Sequence, residues 1–131
     1  MNTAALDKAL SLAARVGHVL IATAGPDGSP HLATARRFEA AGDGLVAVRE
    51  WFCPGTVENL QANSRISIVA WDPASDEGYQ VLGRVEHVDD CAIMDGYAPG
   101  APSVPQVQKR LIIRPRRVLA FSQAPHSDTE E

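Results

Sequence analysis

Cysteine is scarce: Cys53 and Cys91 are the only two, far apart and outside any CxxC spacing. That argues against a disulfide framework and a zinc knuckle, and it fits a reducing cytosol. Positive charge is also short, with 12 Lys and Arg against 16 Asp and Glu and a net charge of -4. A duplex-binding surface normally carries a basic excess, so no nucleic-acid partner is expected. Long apolar runs are missing too. Asp7, Lys8, Arg15 and His18 interrupt the N-terminal stretch, and nothing approaches the ~20 residues that span a bilayer. No membrane association is expected, and the chain reads as cytoplasmic. Catalytic signatures are absent as well: there is no GxSxG, HExxH, P-loop or GxGxxG. The four histidines stand at no metal-ligand spacing, so no metal site is expected and the catalytic residues are unknown.

What is present is the balance of one ordinary globular domain, 45% hydrophobic and 21% charged over 131 residues. Leu6, Leu10, Ala13 and Val16 recur at helical spacing and predict a helix over Thr3 to Val16, capped by Asn2 or Thr3 and stopped by Gly17. The period then changes to two. Strands are predicted over His18–Ala24, His31–Glu39, Leu45–Arg49, Arg65–Trp71, Tyr79–Val88 and, interrupted at Pro115, Val107–Ser122. Gly25–Pro30 and Ala41–Gly44 are turn clusters, and Gly83 inside the fifth strand marks a bulge or a barrel corner. A short helix over Thr56–Ala62 puts Val57 and Leu60 inward, and Asp89–Asp90 cap a brief helical stretch through Met94. Pro99–Pro105 reads as a loop. The pattern is mainly β (α+β): a six-stranded antiparallel barrel in residues 1–122, with residues 123–131 a disordered polar tail.

One junction carries chemistry. Cys53-Pro-Gly-Thr-Val-Glu-Asn59 begins a helix, where free N–H groups and the positive end of the macrodipole suit a phosphate. Gly55 would let a ligand approach the backbone and the Thr56 hydroxyl would bond it. The competing explanation is that Thr56 only caps its own helix. Arg36 and Arg37, consecutive near the end of the second strand, should face opposite sides. One of them could converge with Arg49 on a dianion near Thr56, or all three could be solvated rim charges. Arg114, Arg116 and Arg117 around Pro115 read as surface or subunit-contact charges. Trp51, Phe52 and Trp71 could flank a flat ring or simply pack.

The order of these segments resembles the FMN-binding split-barrel family, which includes pyridoxamine 5′-phosphate oxidase and small flavin-binding proteins. The resemblance is carried by Val19-Leu-Ile-Ala-Thr, Asp27-Gly-Ser-Pro-His31, Gly44-Leu-Val-Ala-Val48 and Thr56-Val-Glu-Asn-Leu-Gln-Ala-Asn-Ser-Arg-Ile-Ser67. Val81-Leu-Gly-Arg-Val-Glu86 and Leu111-Ile-Ile-Arg-Pro-Arg-Arg-Val118 extend it, so that it covers roughly residues 5 to 122. It implies a split barrel working as a homodimer with FMN at the subunit interface. Thr34, Ala35 and Arg36 would then lie along the flavin ring, Val48 and Arg49 would close the third strand on it, Gly55 and Thr56 would meet the phosphate, and Gln80 would reach it from the later strands.

Where many such proteins carry a basic residue, this chain has Gly55-Thr56. Each lost charge-assisted bond is worth about 1.5–3 kcal/mol, so unless Arg36, Arg37 or Arg49 compensates, FMN binds weakly or a different flavin-like cofactor is used. Deazaflavin F420 and haem occur among similar proteins and stand as alternative cofactors, as does none. The acidic tail lacks the basic ending of the full oxidase, so vitamin B6 chemistry is not expected. The leading expectation is a flavin-dependent oxidoreductase, in which the cofactor carries the redox chemistry. The alternatives are an electron-carrier module without turnover and a ligand-free dimeric sensor or scaffold.

Overall fold

Asn2 starts the first helix in the way its side chain allows: Oδ1 accepts the Ala5 N–H at 3.1 Å, and α1 (Thr3–Val16) ends at Gly17 with φ 90°. The computed structural model describes residues 1–51, 53–96, 104–123 and 127–131. Ala5, Leu6, Ala9, Leu12 and Ala13 form the buried stripe of α1, while Leu10 and Val16 sit at its margin. The strands are β1 (Val19–Ala24), β2 (Pro30–Ala35), β3 (Arg37–Gly42), β4 (Leu45–Arg49), β5 (Arg65–Asp72), β6 (Glu77–Gly96), β7 (Val104–Ser122) and β8 (Ser127–Glu130); α2 (Pro54–Ala62) joins β4 to β5.

Every pairing is antiparallel, and the strands run β2-β1-β5-β6-β7-β4-β3, with β8 paired to β7. The two ends of that order, β2 and β3, are joined by Arg36 alone. A sheet whose two edges are consecutive in the chain must roll up, and the result is a barrel. Its inner side chains, among them Ile21, Val46, Val48, Ile66, Ile68, Val81, Leu111, Ile113 and Val118, meet the stripe of α1, which lies against β3, β5, β6 and β7.

The mainly β, split-barrel class stands, with eight strands instead of six. One extra strand arises because the run His31–Glu39 is broken at Arg36, which sits in a bend; the other is β8, formed where a disordered tail is expected. The helix expected after Asp89 is replaced by strand. β6 continues to Gly96 because β7 pairs with it along its whole length, and Asp90 meets Lys109 (Oδ1–Nζ 2.6 Å) instead of capping a helix. β7 likewise passes through Pro115. The register shift opposite Leu82–Gly83 puts Pro115 in an irregularity, where a residue without an N–H is tolerated. It also fulfils the bulge expected at Gly83. Of the loop expected over Pro99–Pro105, Val104 and Pro105 belong to β7 and the rest lies outside the described residues, as does Phe52.

In α2 the inward face is polar. Thr56 and Asn59 are buried, whereas Val57 and Leu60 are only partly so. Asn59 Nδ2 donates to Thr23 Oγ1 of β1 at 3.1 Å, which fastens α2 to the barrel. Thr23→Val would strand that amide without an acceptor, at an expected cost of about 1–3 kcal/mol in urea unfolding. A loss below about 0.5 kcal/mol would show that the bond does not fasten the helix.

Candidate functional site

The seam of the barrel is held by an unusual residue. Glu50, just past β4, has φ 60°, in the left-handed region a side chain rarely adopts. In that conformation its carbonyl oxygen accepts the Arg36 N–H at 3.3 Å, and its carboxylate receives Arg37 Nε at 3.3 Å and Arg49 Nη1 at 3.6 Å. Glu50 thus ties the β2–β3 bend to the end of β4. Arg49 also reaches Glu39 (Nε–Oε1 2.5 Å), and that bond holds the Glu39 carboxyl below the usual carboxylate range.

Two grooves open at this seam. One, of about 550 Å³, is lined by Gly17, His18, Thr34, Ala35, Arg36, Glu50 and Trp51. Its neighbour, of about 260 Å³, takes in Arg37 and Glu39 and again Arg36 and Glu50. The larger is the size of a small-molecule cofactor site. Both arginines of the bend are exposed and line the second groove, so the expectation that they face opposite sides is overturned: the bend at Arg36 breaks the strand alternation. Arg37 and Arg49 are engaged by carboxylates. Arg36 makes no ion pair with any described residue. β2 is an edge of the sheet, so half of its backbone N–H and C=O groups are free of strand partners. Trp51 closes the inner wall of the groove, and its indole N–H is buried without a partner.

The remaining expected positions fall elsewhere. Val48 is wholly buried in the core. Gln80, on β6, donates to Ser67 Oγ at 2.7 Å. It shares a face with Thr34, through the cross-strand row Thr34–Leu20–Val69–Gln80, but at the usual strand spacing the two are roughly 14 Å apart. At α2, Thr56 is fully buried and its Oγ1 has no partner; the helix is preceded by Cys53, which makes no side-chain cap. Thr56 is thus neither a cap nor open to a ligand. His31 of β2 covers the turn. Its Nε2 lies 3.7 Å from Cys53 Sγ, and a Cβ built on Gly55 would stand 2.9 Å from that nitrogen. Trp71 is taken up by Asp76 (Nε1–Oδ1 3.4 Å). Sequence reasoning missed Glu50 and His31. No local pattern signals them, because one acts through its backbone conformation and the other through a contact with a distant helix.

A family model described as pyridoxamine 5′-phosphate oxidase matches residues 6–122. The chain belongs to this family. Solved structures of pyridoxamine 5′-phosphate oxidase-like proteins share its fold. One from Clostridium acetobutylicum, related to general stress protein 26 and of the pyridoxinephosphate oxidase family, has 14% identity and a TM-score of 0.66, covering 100% of this chain and 96% of that one. An FMN-binding protein from Nostoc punctiforme, related to pyridoxamine 5′-phosphate oxidase, has 12% identity and a TM-score of 0.61, covering 98% and 94%. An F420 reductase has 20% identity and a TM-score of 0.59, covering 82% and 93%. No curated protein matches in sequence. Among the described residues, no helix is long and apolar enough to cross a membrane.

These residues suit a phosphorylated flavin along the edge of β2, where free backbone groups could meet a ring and Arg36 an anion. They do not suit one at the first turn of α2, which His31 covers.

Proposed function

We propose that this pyridoxamine 5′-phosphate oxidase family member is a flavin-dependent oxidoreductase that binds FMN, or else the deazaflavin F420, in the groove beside β2. The observation that carries the reading is Arg36. It is a guanidinium with no carboxylate partner among the described residues, held by its own N–H at the mouth of a groove of about 550 Å³. Thr34 and Ala35 present edge-strand backbone groups to the ring, and Arg36 takes the phosphate charge. The named FMN-binding protein and F420 reductase of the same fold support the cofactor class.

A flavin, when bound, supplies hydride and electron transfer, so the chain's own task is to bind and orient it and to set its electrostatic surroundings. Backbone N–H groups of the β2 edge would favour negative charge on the ring. Arg49, shared between Glu39 and Glu50, is a positioning residue: it keeps Glu50 in the conformation that holds Arg36. The site is completed by a second copy. Leu20 and Leu32 stand exposed on the face that carries Thr34 and Gln80, and pairing that face would bring the partner subunit's edge over the groove.

The absorption spectrum of the purified protein tests the reading, together with its melting temperature in FMN and in F420. At one hundred times its dissociation constant, a ligand that binds only the folded state adds about 2.7 kcal/mol, a rise of roughly 10 °C for a chain this long. A colourless protein whose melting temperature is unmoved by either cofactor refutes the proposal.

A further inference from the structure

Away from the groove, the outward side of β5, β6 and β7 gathers four of the chain's 12 basic residues. Arg65, Arg84, Arg116 and Arg117 line a cleft of about 270 Å³ over Leu82 and Gly83. Two features of the pairing force them together. Arg65 and Arg84 are direct cross-strand partners, a position in which like charges repel and cost stability. Arg116 and Arg117 are consecutive, and in a regular strand would face opposite sides. Here Leu82 pairs with Arg117 and Gly83 with Pro115, so Arg116 is left over in a bulge and both guanidinium groups line one cleft. Gly83 lets the bulged β7 backbone lie this close to β6, because a Cβ there would stand 2.5 Å from the Arg114 carbonyl oxygen.

Counter-charge is short. Among the described residues Arg65 and Arg116 have no carboxylate partner, and Arg84 bonds the Ser64 hydroxyl (Nη1–Oγ 3.3 Å). Arg114, next in the row, is neutralised by Glu86. Arg117 is met by Glu130 of β8, the strand formed by the acidic C-terminus. A protein of net charge -4 has no general reason to crowd guanidinium groups on one face. An anion there would relieve the repulsion between them.

We propose that this cleft is a binding site for a small, multiply charged anion of the phosphate class, and that the Glu130 carboxylate stands in for part of that anion when it is absent. The volume admits a diphosphate group, while the acidic remainder of the chain disfavours an extended polyanion. The site shares no residue with the groove beside β2, and it lies further along the outward face that carries Gln80, where a partner pairing on that face would border it.

Pyrophosphate titrated into the full-length protein by calorimetry, at constant ionic strength and with and without FMN, tests the proposal. We expect saturable binding at one site per chain, weakened about tenfold or more by Arg65→Gln and by Arg116→Gln, tightened by Glu130→Gln and unchanged by Arg36→Gln. Arg65→Gln should also raise the melting temperature of the anion-free protein by about 2 °C, since it removes a like-charge pair. Absence of saturable binding, or binding indifferent to Arg65 and Arg116, overturns the proposal. So does binding lost in Arg36→Gln, which would put the anion in the other groove. A dimer that dissociates in the Arg65 and Arg116 variants, with no anion bound by the parent protein, would make these arginines subunit contacts and equally overturn it.

Discussion

Arg36→Glu is expected to weaken FMN binding by about a hundredfold or more, read as the dissociation constant from quenching of flavin fluorescence. A charge-assisted bond is worth about 1.5–3 kcal/mol, which by itself is ten- to a hundredfold in affinity. Reversal goes further, since the new carboxylate would stand in the same groove as Glu50 and repel the phosphate. Arg36→Gln removes charge without adding any and should lose about tenfold. The side chain is exposed and the residue is held by its backbone N–H, so neither change should disturb the fold by more than about 0.5 kcal/mol. An Arg36→Glu variant that binds FMN within twofold of the parent removes Arg36 from the site. Loss of binding accompanied by unfolding would mean that the bend, not the charge, is what matters.

Leu12→Ala should cost about 2–5 kcal/mol of folding stability, a large share of the roughly 5–15 kcal/mol available to a domain. Leu12 is 1% exposed at the centre of the α1 stripe, flanked by the small side chains of Ala9 and Ala13. The helix covers the inner ends of β3, β5, β6 and β7, so a cavity there loosens strands from both halves of the sheet at once. The urea midpoint should fall with the slope unchanged. Leu10→Ala, at the half-buried margin, should cost less than half as much. Equal effects at the two positions would mean that α1 is not seated by the face described here.

α1 was legible in the sequence because its instructions are local. The apolar spacing, the Asn2 side chain and the left-handed Gly17 all act within one turn of the residues they govern. The same holds for the turn at Gly25–Pro30, where Asp27 accepts from the Ser29 N–H at 3.0 Å, and for the Ala41–Gly44 turn, whose last three residues all have positive φ. The break at Arg36 was hidden. Nothing in Thr34-Ala35-Arg36-Arg37 forbids a continuous strand; the bend comes from closing the barrel, with Glu50 bound across the seam. The segment after Asp89 has local signals for a helix start and becomes strand because β7 supplies a partner. At α2 the apolar spacing points Val57 and Leu60 inward, yet Thr56 and Asn59 are the buried residues, and Asn59 is held there by the Thr23 hydroxyl that accepts its amide.

The candidate site divides in the same way. Thr34, Ala35 and Arg36 could be named from the order of residues and do line one groove, whereas Gly55 and Thr56 are closed off by His31, a residue 24 positions before Gly55 in the chain. Sequence alone determined α1 and the turns, because periodicity, caps and turns depend on near neighbours, and the order of its segments carried the resemblance to the family. Which face each polar side chain took, and which arginines were left without a counter-charge, was decided by tertiary pairing. Register and burial are set by partners dozens of residues away, and a one-residue bulge or bend is enough to turn a side chain from one surface to the other.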